Sequence, residues 1–120
     1  MRPNEFGDDL YQHVASAIQA GDVIETIGIK RSNWIANVDR TGIWVETERS
    51  RSRGNGPQFV PAWMVITAWD YLCKKGTLSQ SVLLNELNVK RSAFVCALLA
   101  RFPGVIQRSD PTGLEWSRPR

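Results

Sequence analysis

The chain has 120 residues, of which 42% are hydrophobic and 22% are charged, and its formal net charge is +3. This length and hydrophobic content are typical of a single domain with an ordinary core, and they exclude an intrinsically disordered chain. No segment approaches the roughly 18 consecutive apolar residues that a membrane-spanning helix requires. The N-terminal segment also lacks the apolar core of a signal peptide, so we expect a cytoplasmic protein with no membrane partner.

The charge is distributed unevenly along the chain. Residues 1–48 contain four Lys or Arg and eight Asp or Glu, a net charge of −4, whereas residues 49–120 carry +7. A basic C-terminal half has an electrostatic reason to meet a polyanion, so this half is the first place to seek a binding site.

The N-terminal lobe, residues 1–48, is predicted to be a helix followed by a small antiparallel β-meander. Leu10, Val14 and Ile18 recur at helical spacing, which predicts a helix over 8–20. Segments rich in β-branched and aromatic residues then predict three strands, over 23–27, 34–38 and 43–47.

Residues 49–57 separate this lobe from the rest of the chain. The segment 49–56 alternates arginines with serines, continues with glycines, and has no apolar side chain. Such a composition predicts a mobile basic loop between two lobes.

Residues 58–120 are predicted to form a second lobe. Pro61 suits the first turn of a helix, and Gly76 and Gly104 are placed to end helices. The predicted elements are a short strand over 58–60, a helix over 62–75, a short helix after Ser79, a third helix over about 91–102, and a hairpin of strands 105–108 and 114–116. Over residues 61–117 this order resembles the winged-helix family, a variant of the helix-turn-helix. The predicted fold class is therefore α+β.

The resemblance implies that the third helix meets DNA, since in DNA-binding members its first residues contact phosphates and base edges. Those residues here are Lys90, Arg91 and Ser92, and Ser92 is expected either to cap the helix or to bind a phosphate. The body of that helix, residues 93–100, contains no side chain that reads bases. Lys90 and Arg91 have a simpler interpretation as part of a solvated turn.

Other cations complete the predicted basic face. Arg49, Arg51 and Arg53 occur at alternate positions of the loop, a spacing that suits a phosphate backbone, although a solvated linker is the alternative. Arg108 on the hairpin, with Arg118 and Arg120 in the tail, adds further candidate phosphate contacts. No metal site is predicted, because the two cysteines, Cys73 and Cys96, fall in apolar helical patterns typical of buried thiols.

The five tryptophans are predicted to pack mostly in the core. Four of them, Trp44, Trp63, Trp69 and Trp116, lie in regular apolar patterns. Trp34 follows a basic segment and is the best candidate for an exposed ring on which a base stacks.

No catalytic site is predicted, so we expect the protein not to be an enzyme and to need no cofactor. Asp39, Glu46 and Glu48 are the only acidic cluster of interest, and they lack the second acidic group and the following Lys of a nuclease site. His13, the single histidine, has no nucleophile near it in the sequence.

The sequence thus favours a nucleic-acid-binding protein, with duplex DNA held by phosphate contacts of the loop, the third helix and the wing. A small regulator and a recognition module of a defence or mobile-element system both fit. The alternative is a protein-protein interaction or homodimerisation module that uses the apolar third helix, since one fold serves many functions.

Overall fold

The computed structural model describes residues 4–27, 30–109 and 111–116, apart from the side chain of Ser109, and its architecture is α+β as predicted. The helices are α1 (Asp8–Ala17), α2 (Glu48–Arg53), α3 (Ala62–Lys75), α4 (Gln80–Asn85) and α5 (Ser92–Leu99). The strands are β1 (Val23–Glu25), β2 (Ser32–Asp39), β3 (Gly42–Thr47), β4 (Gln58–Pro61), β5 (Thr77–Ser79), β6 (Val105–Ser109) and β7 (Thr112–Trp116). Within the described ranges, no helix has the length and apolar character needed to cross a bilayer.

The predicted meander is present, and a fourth strand extends it. The four strands form one antiparallel sheet in the order β1-β2-β3-β4. Alternation along the strands directs Ile35, Val45 and Val60 into the core, where all three are buried. The strand β4, assigned from the sequence to the C-terminal lobe, pairs instead with β3, so the two halves share this sheet.

The three predicted helices and the hairpin of the C-terminal half are also present. Strands β5, β7 and β6 form an antiparallel sheet in that order, with β7 in the middle. The helix α3 ends at Gly76, whose φ of 81° is a left-handed conformation that favours glycine. Asp110, in the predicted hairpin turn, lies outside the described residues.

The third helix of this half, α5, is shorter than predicted and lies at the centre of the molecule. Its residues from Phe94 to Leu99 are at most 4% exposed. The helix contacts β1 of the first sheet as well as α3, α4 and β7. It is apolar on all sides because it is covered on all sides.

The segment 49–57 is not simply a loop, because its first part forms α2. Thr47 caps this helix: its hydroxyl accepts from the backbone N–H of Ser50 at 3.1 Å, and its own N–H donates to the Ser50 hydroxyl at 2.8 Å. This reciprocal pair is a capping box with Ser in the place of the usual Glu or Gln. Gly54, left-handed at φ 66°, then ends the helix. The prediction of a loop was wrong because the segment has no apolar periodicity, whereas its helix depends on the two caps.

The tryptophans divide between the core and an outer sheet face. Trp63, Trp69 and Trp116 pack against the core as predicted, and the Trp69 ring lies 5.2 Å from that of Phe102 and 5.4 Å from that of Trp116. Trp44 differs, because it lies on the outer face of the first sheet with Phe59, at a ring distance of 4.6 Å. Cys96 is buried as predicted, whereas Cys73 is half-buried.

Candidate nucleic-acid interface

A cleft of about 1150 Å³ opens between the first sheet and the C-terminal half. Its walls come from the β1–β2 connection, α2, the start of β4, α4, the start of α5 and the hairpin turn. The polar and charged lining residues are Thr26, Arg31, Ser32, Asn33, Thr47, Glu48, Arg49, Ser50, Arg53, Asn55, Gln58, Ser79, Gln80, Ser81, Asn85, Lys90, Arg91, Ser92 and Thr112. Side chains separated by up to 86 positions therefore face one space.

The cleft is strongly basic. Among the lining residues that the structure describes, the cations are Arg31, Arg49, Arg53, Lys90 and Arg91, and the one acidic side chain is Glu48. Among the described residues, no salt bridge involves any of these five cations. Three arginines that do form salt bridges, Arg40, Arg51 and Arg108, all lie outside the cleft. The cleft therefore concentrates positive charge that carboxylates of the described residues do not neutralise.

The helix α2 separates the three arginines that the sequence placed in one row. With 3.6 residues per turn, residues four positions apart lie on the same face and residues two positions apart lie on opposite faces. Arg49 and Arg53 accordingly both line the cleft. Arg51 instead places its guanidinium 3.8 Å from the centre of the Trp34 ring and donates to Glu46 at 3.0 Å. The predicted exposed ring of Trp34 is half-buried and carries an arginine on its face.

Arg91 lines the cleft and lies immediately before α5. Its guanidinium donates a hydrogen bond to the side-chain oxygen of Gln58, at the start of β4. Burial lowers the pKa of Arg91 from its ordinary value, but a guanidinium remains charged at neutral pH. A partly desolvated cation with a neutral partner is a favourable position for a bound anion, which would offset the cost of desolvation.

Lys90 and Ser92 flank Arg91 in the same cleft. Lys90 is exposed, whereas Ser92 is only 5% exposed. Of the two roles expected for Ser92, capping is contradicted: Ser92 is the first helical residue, and Arg91 occupies the cap position without a side-chain cap bond. The other role, binding a phosphate, stays a prediction.

Arg108 does not join the predicted basic face. It donates to Glu115 across the hairpin at 2.6 Å, and this carboxylate raises the pKa of Arg108. Its side chain lines a separate small pocket of about 200 Å³. The sequence placed Arg108 on a hairpin correctly, but it could not show that an acid on β7 lies close to it. Arg118 and Arg120 lie outside the described residues.

Sequence reasoning did not identify Arg31, Asn55, Gln58 or Gln80 as site residues. Each is an ordinary polar residue in its local sequence, and only the packing of the two halves brings it to the cleft. The only sequence signal of these four residues is that each lies in a polar segment next to a predicted helix or strand. Such segments are too common to indicate a site.

Two of the three carboxylates considered for metal binding, Asp39 and Glu46, have other partners, and Glu48 lines the cleft. Asp39 accepts from the backbone N–H of Thr41 at 2.7 Å and from its hydroxyl at 2.6 Å, and these hydrogen bonds lower the pKa of Asp39. Glu46 binds Arg51. Among the residues that the structure describes, no group of three His, Cys, Asp or Glu side chains is arranged to hold a metal ion.

No protein-family model, no curated protein and no solved structure matches this chain.

Proposed function

We propose that the protein binds nucleic acid by holding its phosphates in the basic cleft. The observation that carries this proposal is the set of five cleft cations, which form no salt bridge with a described residue. Lys and Arg side chains supply most of the binding energy toward a nucleic-acid backbone, and hydroxyl and amide side chains add hydrogen bonds to it. The cleft contains all of these groups.

We further propose that residues 61–117 are a winged helix. Their order, α3-β5-α4-α5-β6-β7, agrees with the resemblance seen in the sequence. The role of α5 would differ from that of the third helix in winged-helix proteins that read bases. A helix that reads the major groove must expose its side chains, and here residues 94–99 are buried. Only the start of α5 contributes to the cleft, so contact with phosphates is favoured over base reading in a groove.

The alternative function, a protein partner held by the apolar third helix, is less well supported. The apolar side chains of α5 that would form such an interface are covered by the rest of the chain. A partner that binds that surface would have to displace the core. The loss of folding free energy would far exceed the free energy gained by binding.

Fluorescence anisotropy with labelled single-stranded DNA, duplex DNA and RNA over a series of salt concentrations tests the proposal. We expect log K to fall linearly with log salt, by about 0.9 for each duplex phosphate neutralised and about 0.7 for each phosphate of a single strand. Arg53→Ala should weaken binding to all sequences alike and make the slope shallower by about one phosphate. Arg101→Ala removes the same charge from an exposed residue outside the cleft and is the matched control.

Two results would contradict the proposal. One is the absence of binding to all three nucleic acids at low salt. The other is an equal loss of affinity in Arg101→Ala and Arg53→Ala, which would mean that net charge, not the cleft, attracts the ligand.

A further inference from the structure

We infer that the nucleic acid held in the cleft is single-stranded, with its bases as well as its phosphates in contact with the protein. The inference depends on the proposed function and specifies its ligand. Its starting point is Leu84 on α4, an apolar side chain that is 48% exposed and lines the cleft among the cations.

The apolar part of the cleft is built by separate elements. Ile27 from the β1–β2 connection and Pro111 from the hairpin turn line the same space as Leu84. A duplex turns its sugars and phosphates outward and hides the faces of its bases, so it offers little to an apolar wall inside a cationic cleft. Unpaired bases have exposed apolar faces, and proteins that bind single strands combine cations with side chains, usually aromatic, on which those faces stack. Here the aliphatic side chains of Leu84, Ile27 and Pro111 would cover the base faces by apolar contact.

Amide side chains in the cleft can bind the edges of such bases. Asn55 and Gln80 line the cleft, and Gln58 directs its oxygen to Arg91. An amide group both donates and accepts, which complements the mixed donor and acceptor edge of an unpaired base. In a duplex these edges are already paired, and only the grooves display the remaining groups.

The shape of the cleft also favours a single strand. The cations line a concave space of about 1150 Å³, slightly larger than the roughly 300–1,000 Å³ of typical ligand pockets. A space of this size suits a short segment of one strand. A duplex presents its phosphates on a convex surface and is usually read by an element that enters the major groove, which is about 12 Å wide. The buried α5 cannot serve as that element.

The test is a competition among three labelled probes at one salt concentration: oligo-dT, oligo-U and a DNA duplex, each of about 12 nucleotides per strand. We expect at least one single strand to bind about tenfold more tightly than the duplex, a difference of about 1.4 kcal/mol. The single strand that binds more tightly shows which of the two chemistries, oligo-dT or oligo-U, the cleft prefers.

Leu84→Ala distinguishes contact with bases from contact with phosphates. It should weaken single-strand binding by about fivefold and leave the salt slope unchanged, because it removes apolar contact but no cation. Ile106→Ala is the matched control, since Ile106 is 61% exposed and lies outside the cleft. It should leave affinity unchanged.

The failures of the two proposals are distinguishable. If the duplex binds as tightly as both single strands, or if Leu84→Ala affects binding no more than Ile106→Ala does, the inference is wrong and nucleic-acid binding stands. If no probe binds at low salt, the proposed function itself is wrong.

Discussion

The guanidinium of Arg51 lies over the ring of Trp34, 3.8 Å from its centre, while Arg49 and Arg53 on the same short helix line the cleft. Arg51 also binds Glu46 at 3.0 Å. Arg51 thus holds α2 against the first sheet, whereas Arg49 and Arg53 line the cleft.

We therefore expect Arg51→Ala to affect stability more than binding. An exposed cation–π contact contributes about 0.5–1 kcal/mol, so the free energy of unfolding should fall by about that amount. Affinity for nucleic acid should remain within about twofold of the unmodified protein, because no phosphate contact is lost. Urea denaturation and anisotropy on the same preparation measure both effects. A larger loss of affinity than in Arg53→Ala would place Arg51 in the binding site.

Thr47→Ala should weaken both the fold and the binding site. Removing a side-chain cap costs about 0.5–2 kcal/mol of stability. Because α2 has only six residues, it should unwind easily without its cap. Once α2 frays, Arg49 and Arg53 no longer share a face, so affinity for nucleic acid should fall although no charge has changed. Thr47→Ser keeps the capping hydroxyl and should restore both properties. Unchanged affinity in Thr47→Ala would show that α2 need not be helical to bind.

Trp69→Ala should cost about 3 kcal/mol of unfolding free energy, the lower end of the range for deleting a large aromatic side chain. The lower end applies because Trp69 is half-buried, in ring contact with Phe102, Trp116 and His13. Phe59→Ala is a useful comparison, because Phe59 is 43% exposed. This substitution should lower the free energy of unfolding by only about 1 kcal/mol. Equal losses in the two variants, measured by denaturant unfolding, would contradict the difference in burial.

Stability should fall at alkaline pH because of Cys96. Burial raises the pKa of its thiol from 9.0 to about 12 in the folded protein. The folded protein favours the neutral thiol. The contribution of this thiol to the free energy of unfolding is therefore fully present below pH 9, near the pKa in the unfolded chain, and is lost as the pH rises toward 12. Between pH 9 and 10.5 the loss should be about 2 kcal/mol.

Other groups also titrate in this range, so the pH dependence must be compared with that of Cys96→Ala. The difference between the two profiles, measured by equilibrium unfolding, isolates the thiol. Parallel profiles would show that Cys96 titrates alike in the folded and unfolded chains.

The elements that the sequence predicted well are those with local signals. Pro61 and Gly76 bracket α3, and Gly104 precedes the hairpin, so each boundary is determined by the conformation of one residue. The helix α2 was missed because its signal is a pair of caps, Thr47 and Gly54, around a segment with no apolar stripe.

The candidate site was predicted only in part, for a different reason. Arg49 and Arg53 were chosen for their charge and spacing, and Lys90 and Arg91 for their place at the start of the third helix. All four line one cleft in the structure. Arg108 lies outside that cleft and pairs with Glu115 across the hairpin, a pairing that depends on strand register. Its contact with nucleic acid stays a prediction. The uniformly apolar sequence of α5 was interpreted partly as a surface for a partner. Burial within the same chain explains it instead.

The position of α5 also determines how the protein can be divided. This helix contacts β1 of the first sheet and β7 of the second, although it is only eight residues long. A cut in the glycine-containing segment 54–57 would leave the first fragment without β4 and without the helix that packs against β1. The second fragment would retain α5 with part of its apolar surface facing water. The two halves are therefore not exchangeable modules. A fusion protein or chimera must contain both halves for either one to keep its fold.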